Sequence, residues 1–396
     1  MFSNLYPPVI TGSSVHVATL SRELAERGNR VIVITPRIVE GSAEFESSGN
    51  IQIHRIPALR FPKLPLWLNF PWMTYTFTIG NLKRIRKILQ EEQPDVLHLH
   101  NHIFDLAFSA ALMRRWTGVP LILTVHTMLR HVEGFYNLIL VPIDRFVLKP
   151  LVVNLADAVI CLDKNVSTYV SRVFGNKRIA IVPHAIQFPH ACSQEEIDDL
   201  RGEYGLRGDK IILSLGHLHA LRNRKDLVRA LPWVLKEIAN VKLVIVGHVG
   251  DASVMALARS LGVERHIVLT GAVPYSRVPA FLAAADLEAH WLNQDEPERT
   301  SLGTASLEAM AAGKTVVAAA SENTYGPGIL KSGENVVLLE SRDPRYLAET
   351  LVGLLRDEEK SRAIGERARQ TILEHFSLQN ICSKVLDVYR SVLVPR

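Results

Sequence analysis

The sequence predicts an α/β fold of two doubly wound, Rossmann-like domains in tandem, and three observations carry that prediction. Short apolar segments of strand length alternate with helix-period segments along nearly the whole chain. The 396 residues exceed what one hydrophobic core supports and suit two domains of about 150 to 200 residues each. A glycine followed by an apolar helix with one embedded carboxylate, suited to a phosphorylated ligand, stands in the second half at Gly303.

The elements follow in chain order. MFSNLY, ahead of Pro7-Pro8, offers barely a strand where a doubly wound domain opens on a central one, so the first strand is expected to be short and poorly anchored, or to begin upstream. Ser13 to Gly28 places Val17, Leu20 and Leu24 at helical spacing and ends on a C-capping glycine. RVIVIT, from Arg30 to Thr35, is apolar on both faces, as in a parallel sheet covered on both sides. IQIHRI, a helix over Gly80 to Glu92, DVLHLH, a helix over Asp105 to Thr117, LILTV, AVICL and IAIVP complete the first half. The second half repeats the scheme: IILSLG, a helix from Arg224 to Ile238, VKLVIVG, a helix near Ser253 to Leu261, HIVLTG, DLEAHW, the Gly303 helix, KTVVAAA and NVVLLE. The polar stretch Ser193 to Asp209 reads as the seam. The expected domains are 1–200, 201–376 and a closing segment, 377–396, whose amphipathic helix Leu378–Leu393 packs back on the first domain.

Composition narrows the class. Hydrophobic residues at 47% and charged residues at 21% describe a globular chain. The 45 basic and 40 acidic residues leave +5, which permits an anionic ligand or lipid surface, while no basic, aromatic-interleaved patch points to nucleic acid. Three widely spaced cysteines, Cys161, Cys192 and Cys382, fit a reducing compartment. No secretory leader opens the chain, and the apolar window Phe135 to Val153 is broken by Pro142, Asp144, Arg145, Lys149 and Pro150, which makes a poor membrane span. The expected location is cytoplasmic, with peripheral contact at the inner face of a membrane.

Thr300 to Thr315, TSLGTASLEAMAAGKT, is the stretch best suited to a phosphorylated ligand. Gly303 would turn the chain tightly into a helix over Thr304 to Ala312, whose first amides lack intrahelical partners and sit at the positive end of the dipole. Glu308, one turn on, could accept hydrogen bonds from sugar hydroxyls. A buried Ala-rich helix with a capping glycine has the same local signature.

Taken together, these segments resemble the GT-B glycosyltransferases, and among them glycosyltransferase family 4. YPPVITGSSVHVATLSRELAERGNRVIVIT resembles the family's opening, with Gly12 at its second glycine and Thr11 at its first. PDVLHLHNH, LILTVHTM, DAVICLDKNV, LSLGHLHALRNRKDLVRAL, VKLVIVG and SLEAMAAGKTVVAA match further family segments in the right order. The resemblance implies a retaining glycosyltransferase that moves a hexose-type sugar from a nucleotide-diphosphate donor to an acceptor hydroxyl. It implies two domains facing a cleft, the first binding the acceptor and the second the donor.

The same resemblance assigns residues. Gly12 would admit the donor phosphates or the acceptor, and His126 would contact the transferred sugar near the reacting carbon. Arg222 occupies the slot of a diphosphate-binding lysine. Gly303, Thr304 and Ala305 would offer amides to the diphosphate, and Glu308 would hold the ribose. No metal or other cofactor is implied, because Arg222 and the helix end take the leaving group's charge. The departures are specific: His217 stands where an arginine is usual, Thr300 replaces the first glutamate of a pair, ENTYGPG replaces a Gly-Gly…Glu element, and HAIQ at His184 to Gln187 replaces "nGvD".

Two further patterns need weighing. His98, His100 and His102 alternate at a strand end, which can mean metal ligation, but no accompanying metal motif is present and the non-metal reading is preferred. Between Arg60 and Phe77, Phe61, Trp67, Phe70, Trp72, Tyr75 and Phe77 lie close to Arg60 and Lys63. Trp67 and Trp72 would contact a membrane or an apolar acceptor, with His100 on the acceptor side; an ordinary packed loop is the plainer reading. A lipid, lipid-linked or cell-envelope polysaccharide acceptor fits. A sugar-nucleotide epimerase and a nucleotide-binding protein without turnover remain as alternatives.

Overall fold

The computed structural model describes residues 1–396 except 10, 61–73, 131–133, 176, 217, 219–223, 291–301, 340, 342 and 394–396. Two compact units divide the chain: Met1–His184 with Leu378–Arg396, and Ala185–Ser377.

The first unit carries strands β1 (Phe2–Ser3), β2 (Val31–Pro36), β3 (Phe45–Ser48), β4 (Ile51–Ile56), β5 (Leu59–Arg60), β6 (Thr74–Tyr75), β7 (Leu97–His100), β8 (Leu121–Val125), β9 (Ala158–Cys161) and β10 (Ile179–Ile181). Its helices are α1 (Gly12–Glu26), α2 (Ile79–Glu92), α3 (Leu106–Thr117), α4 (Gly134–Ile143), a π-helical turn at Asp144–Leu148, α5 (Lys149–Leu151) and α6 (Lys164–Phe174). The sheet order is β10-β9-β8-β7-β1-β2-β4-β3. All neighbours are parallel except β3, which pairs antiparallel with β4 at the edge. β5 and β6 form a separate antiparallel pair.

The first strand corrects the expectation of poor anchoring. β1 is short, yet it sits in the middle of the sheet, with Phe2 opposite Ile34 on one side and Leu99 on the other. Phe2 is fully buried in the same cluster as Leu97, Leu99, Leu121 and Leu123. Central position and burial supply what length does not.

The second unit contains α7 (Gln194–Glu203), β11 (Lys210–Leu215), α8 (Lys225–Glu237), β12 (Val241–Val246), α9 (Ser253–Ser260), β13 (Ile267–Gly271), α10 (Val278–Ala284), β14 (Leu287–His290), α11 (Thr304–Ala311), β15 (Thr315–Ala318), β16 (Val337–Leu338), α12 (Pro344–Arg356) and α13 (Glu358–His375). Its wholly parallel sheet runs β13-β12-β11-β14-β15-β16. α7 corrects the expected boundary at 200: the division falls after His184, because Leu200 and Leu206 are buried with Phe281 and Leu282 in the second unit's core. Ser193 caps α7 through a capping box with Glu196, which starts this helix in an otherwise polar stretch. α13 crosses the loop after α11 so closely that a Cβ on Gly365 would lie 2.0 Å from the Gly313 carbonyl oxygen. Only glycine fits there.

The last helix, α14 (Leu378–Leu393), returns to the first unit. Arg27, at the end of α1, donates to Ser383 Oγ at 2.9 Å and to the Gln379 carbonyl at 2.8 Å. Ile381, Cys382, Val385 and Val388 form the buried stripe of α14, the amphipathic face that predicts packing.

Candidate functional site

In an open parallel sheet, ligands bind beyond the carboxyl ends of the strands where the winding reverses. The first unit reverses between β1 and β7, and the second between β11 and β14. α1 follows β1, and α11 follows β14. The two glycine-led helices of the sequence therefore both stand at a reversal point, each within its own unit.

In the second unit, Gly303 is the N-cap of α11 with φ −65° and ψ 161°. This is ordinary extended backbone, so the expected tight glycine turn is not what the residue supplies. Ser306 and Leu307 donate to the Gly303 carbonyl at 3.0 and 3.2 Å, which leaves the amides of Thr304 and Ala305 at the open end of the helix. Thr304 is exposed and Ala305 half-buried. Glu308 lies one turn further, half-buried, with Oε1 accepting from the Tyr275 hydroxyl at 3.0 Å. Burial pushes the Glu308 carboxyl up, and the hydrogen bond from Tyr275 partly offsets this. Beside it opens a pocket of about 190 Å³ bordered by Phe188, His190, Tyr275, Leu282 and Glu308. A carboxylate at the rim of an aromatic-sided pocket suits a ring with an adjoining pair of hydroxyls.

Beneath this surface, Ser306 donates to the fully buried Glu288 carboxylate of β14 at 3.0 Å. Arg224, at the start of α8, is also buried and donates to the Leu215 carbonyl at 3.3 Å. Sequence reading missed both. A glutamate inside DLEAHW carries no periodic signal, and Arg224 lies in a basic run, RNRK, that looks solvated.

The first unit gathers imidazoles from four chain segments: His16 on α1, His98 and His100 on β7, His126 after β8, and His184 after β10. His126 Nε2 lies 3.1 Å from His100 Nδ1, and His126 Nδ1 lies 3.2 Å from His184 Nε2. His16 stacks on His184 with ring centroids 4.4 Å apart. His98 packs against His100 at 4.1 Å and bonds through Nδ1 to the Tyr389 hydroxyl and through Nε2 to Thr124 Oγ1, both at 2.7 Å. Burial pushes His98 down to about 3 and His184 down to about 4. His16, His100 and His126 lie well below the usual histidine range, first from burial and then from the neighbouring imidazoles.

All five rings are therefore neutral near pH 7, each with one N–H and one bare nitrogen. The His100–His126–His184 chain then has two internally consistent settings, with every N–H pointing one way or every N–H pointing the other. The tautomer of one ring sets the tautomer of the next.

His102 departs from this group. Asn101 has φ 74°, which ends the strand, and His102 turns to Asp144, with Nε2 3.3 Å from Oδ1, and to the Tyr169 hydroxyl. The expected alternation of His98, His100 and His102 on one face thus stops after His100. Among the described residues, no group of three or more His, Cys, Asp or Glu side chains is placed to hold a metal ion. Gly12 begins α1, one turn before His16, and a Cβ there would meet nothing within 4 Å. Thr11 caps α1 in a reciprocal box with Ser14, which accounts for a threonine at that position. His217, Arg222, Thr300, Trp67 and Trp72 lie outside the described residues. Of the neighbouring aromatics, Phe77 packs on Phe108 with centroids 5.9 Å apart, an ordinary interior contact.

Residues 10–188 match the family model for glycosyltransferase family 4, and residues 196–371 match that for glycosyl transferases group 1. The chain belongs to these glycosyltransferases. Among its relatives, N-acetyl-alpha-D-glucosaminyl L-malate synthase of Bacillus anthracis is 26% identical over 395 residues, covering 98% of this chain and 95% of that protein. Alpha-monoglucosyldiacylglycerol synthase of Streptococcus pneumoniae is 24% identical, covering 80% of this chain and 70% of that one. The crystal structure of Anabaena HepE in complex with UDP and glucose superposes with a TM-score of 0.70 at 17% identity, covering 98% of each chain. The fold is that of the GT-B glycosyltransferases.

Proposed function

We propose that this glycosyltransferase moves a hexose-type sugar, with retention of configuration, from a nucleoside-diphosphate sugar to an acceptor hydroxyl carried by a lipid or lipid-linked molecule. The observation that carries the donor reading is the second unit's reversal point, where two outward amides, the Glu308 carboxylate and the pocket beside Phe188 and Tyr275 adjoin. The amides and Arg222 take the diphosphate, Glu308 takes the ribose diol, and the pocket takes the base. A titratable His217 and an uncharged Thr300 are further donor contacts. Relatives named for glucosyl and N-acetylglucosaminyl groups support a hexose, and one named for a glucosylated diacylglycerol supports the lipid acceptor.

The acceptor oxygen attacks the anomeric carbon on the face the diphosphate leaves. The carbon–oxygen bond to the diphosphate breaks, and the acceptor's proton passes to a departing phosphate oxygen. Charge on the leaving group is met by the α11 amides and Arg222, so no metal is required. His126, with Gly12 nearby on α1, holds the transferred sugar.

A thermal-shift panel of UDP-, GDP- and ADP-sugars tests this reading, since a ligand of the folded state raises Tm. A shift with one donor that disappears in Glu308→Ala, together with product formed in excess EDTA, is the expected result. A shift without transfer to any acceptor would mean binding without turnover, and an epimerised donor in the absence of acceptor would mean an epimerase.

A further inference from the structure

α4 and the π-turn that follows are oriented opposite to a surface helix of a soluble protein. Phe135, Leu138, Ile139 and Phe146 are 72, 70, 58 and 70% exposed, and Leu151 of α5 is 53% exposed. With Pro142 the first four lie at spacings of three, four, seven and eleven from Phe135, which is one face of a helix. The opposite face is Leu140, Asp144 and Leu148, all buried. The segment thus points its one carboxylate inward and both of its phenyl side chains outward.

Asp144 fixes that orientation. The Tyr169 hydroxyl donates to Asp144 Oδ2, and His102 Nε2 lies 3.3 Å from Oδ1. Rolling the helix to bury its apolar face would expose the carboxylate and break these buried contacts, so the exposed face is held in place by a polar anchor. The π-turn at Asp144–Leu148 adds a residue where the anchor sits, a distortion that concentrates at functional sites.

We infer that this face, Phe135, Leu138, Ile139 and Phe146 with Leu151, seats the protein on an anionic lipid surface. Charge chooses the occupant. Between Gly134 and Leu155 the only acidic residue is the buried Asp144, while Arg145 is exposed, its guanidinium 5.8 Å from the Phe146 ring centre, and Lys149 is half-exposed. Apolar side chains bordered by cations, with no exposed acid between them, match a bilayer interface with negative headgroups. Among the described residues no helix is long and apolar enough to cross a membrane, so the seat is peripheral. This assignment rests on the lipid-acceptor reading above and names the surface that would serve it.

Co-sedimentation of the full chain with vesicles tests the inference, using phosphatidylcholine alone and phosphatidylcholine with about one-quarter phosphatidylglycerol. The unaltered protein should bind the anionic vesicles at least tenfold better than the neutral ones, and less well as salt rises. Leu138→Gln with Phe146→Gln should weaken binding at least tenfold while leaving Tm and the nucleotide-sugar thermal shift unchanged; Arg145→Glu with Lys149→Glu should abolish the preference for anionic vesicles. Equal sedimentation of the Gln variant and the unaltered protein, or no binding to either vesicle, overturns the inference. So does a dimer in light scattering that the same two substitutions dissociate, because the face would then belong to a second copy. The donor thermal shift is read independently, so failure here leaves the transfer reading intact.

Discussion

His16 lies almost flat on His184, the ring centroids 4.4 Å apart and the planes 18° from parallel. The contact joins the start of α1 to the loop after β10, and it places two imidazoles where a charge on either would face three more rings. Their neutrality has a consequence for stability. His98 and His184 are pushed down to about 3 and about 4, whereas in the unfolded chain they titrate near 6.5.

The unfolded state therefore binds protons first as pH falls. Stability from neutral burial is complete above the unfolded value and is lost progressively below it. Between pH 7.5 and 5.5 each ring kept neutral is expected to cost about 1.4 kcal/mol. Asp163 and Glu308, raised by burial, act with the opposite sign, since taking up a proton relieves the cost of burying their charge. Urea midpoints at the two pH values check this, and His98→Gln should flatten the dependence. A midpoint that does not move, or moves up on acidification, is incompatible with the packed neutral cluster.

Glu308 and Tyr275 make a second measurable pair. Glu308→Ala should weaken nucleotide-sugar binding about 10- to 100-fold, the range for losing a hydrogen-bonded charged acceptor of about 1.5 to 3 kcal/mol. Tyr275→Phe frees the carboxylate Oε1 from an internal donor and should change affinity by no more than about threefold. Calorimetric titration with the matched nucleotide distinguishes the two; equal losses would mean that the tyrosine itself carries the ligand.

For His126, steady-state kinetics separate holding the sugar from holding the fold. His126→Asn should lower kcat about 100-fold while donor affinity stays within about twofold, because the residue acts on the sugar being transferred. A variant with unchanged kcat removes it from the site, and one with a collapsed Tm assigns it to the core.

Gly365 offers a test confined to the second unit. Its missing side chain lets α13 approach Gly313, and Gly365→Ala should destabilise by about 1 to 3 kcal/mol or more through overpacking. Gly353 on α12 is exposed, with nothing within 4 Å of an added Cβ, so Gly353→Ala should instead stabilise by about 0.5 to 1 kcal/mol. Scanning calorimetry of both variants should show opposite shifts, and shifts of one sign would contradict the contact.

The alternation of apolar runs made the sheets legible, and α14 falls on the residues its amphipathic pattern marks, Leu378–Leu393. Strand and helix periods are local properties. The anchoring of β1 is not, since two residues show no period and gain their place only from neighbours far along the chain. β3, Phe45–Ser48, is an exposed edge with no apolar alternation, and it escaped notice for that reason. Glu308 and the α11 amides were legible because they share one helix. The five-imidazole cluster was not, because His16, His126 and His184 meet only once four strand ends are side by side. Phe135 to Val153 read as a failed membrane span, and its inverted orientation becomes visible only when Asp144 is seen with Tyr169.

Because Leu378–Arg396 belongs with Met1–His184, the first unit is interrupted by the whole of the second. During synthesis the ribosome completes the inserted unit while the earlier one still lacks its final helix. Tyr389, the partner of His98, emerges only after the whole of the second unit. The histidine-bearing unit is thus begun before the other and finished after it, and any premature stop within α14 releases a chain in which one unit is whole and the other is not.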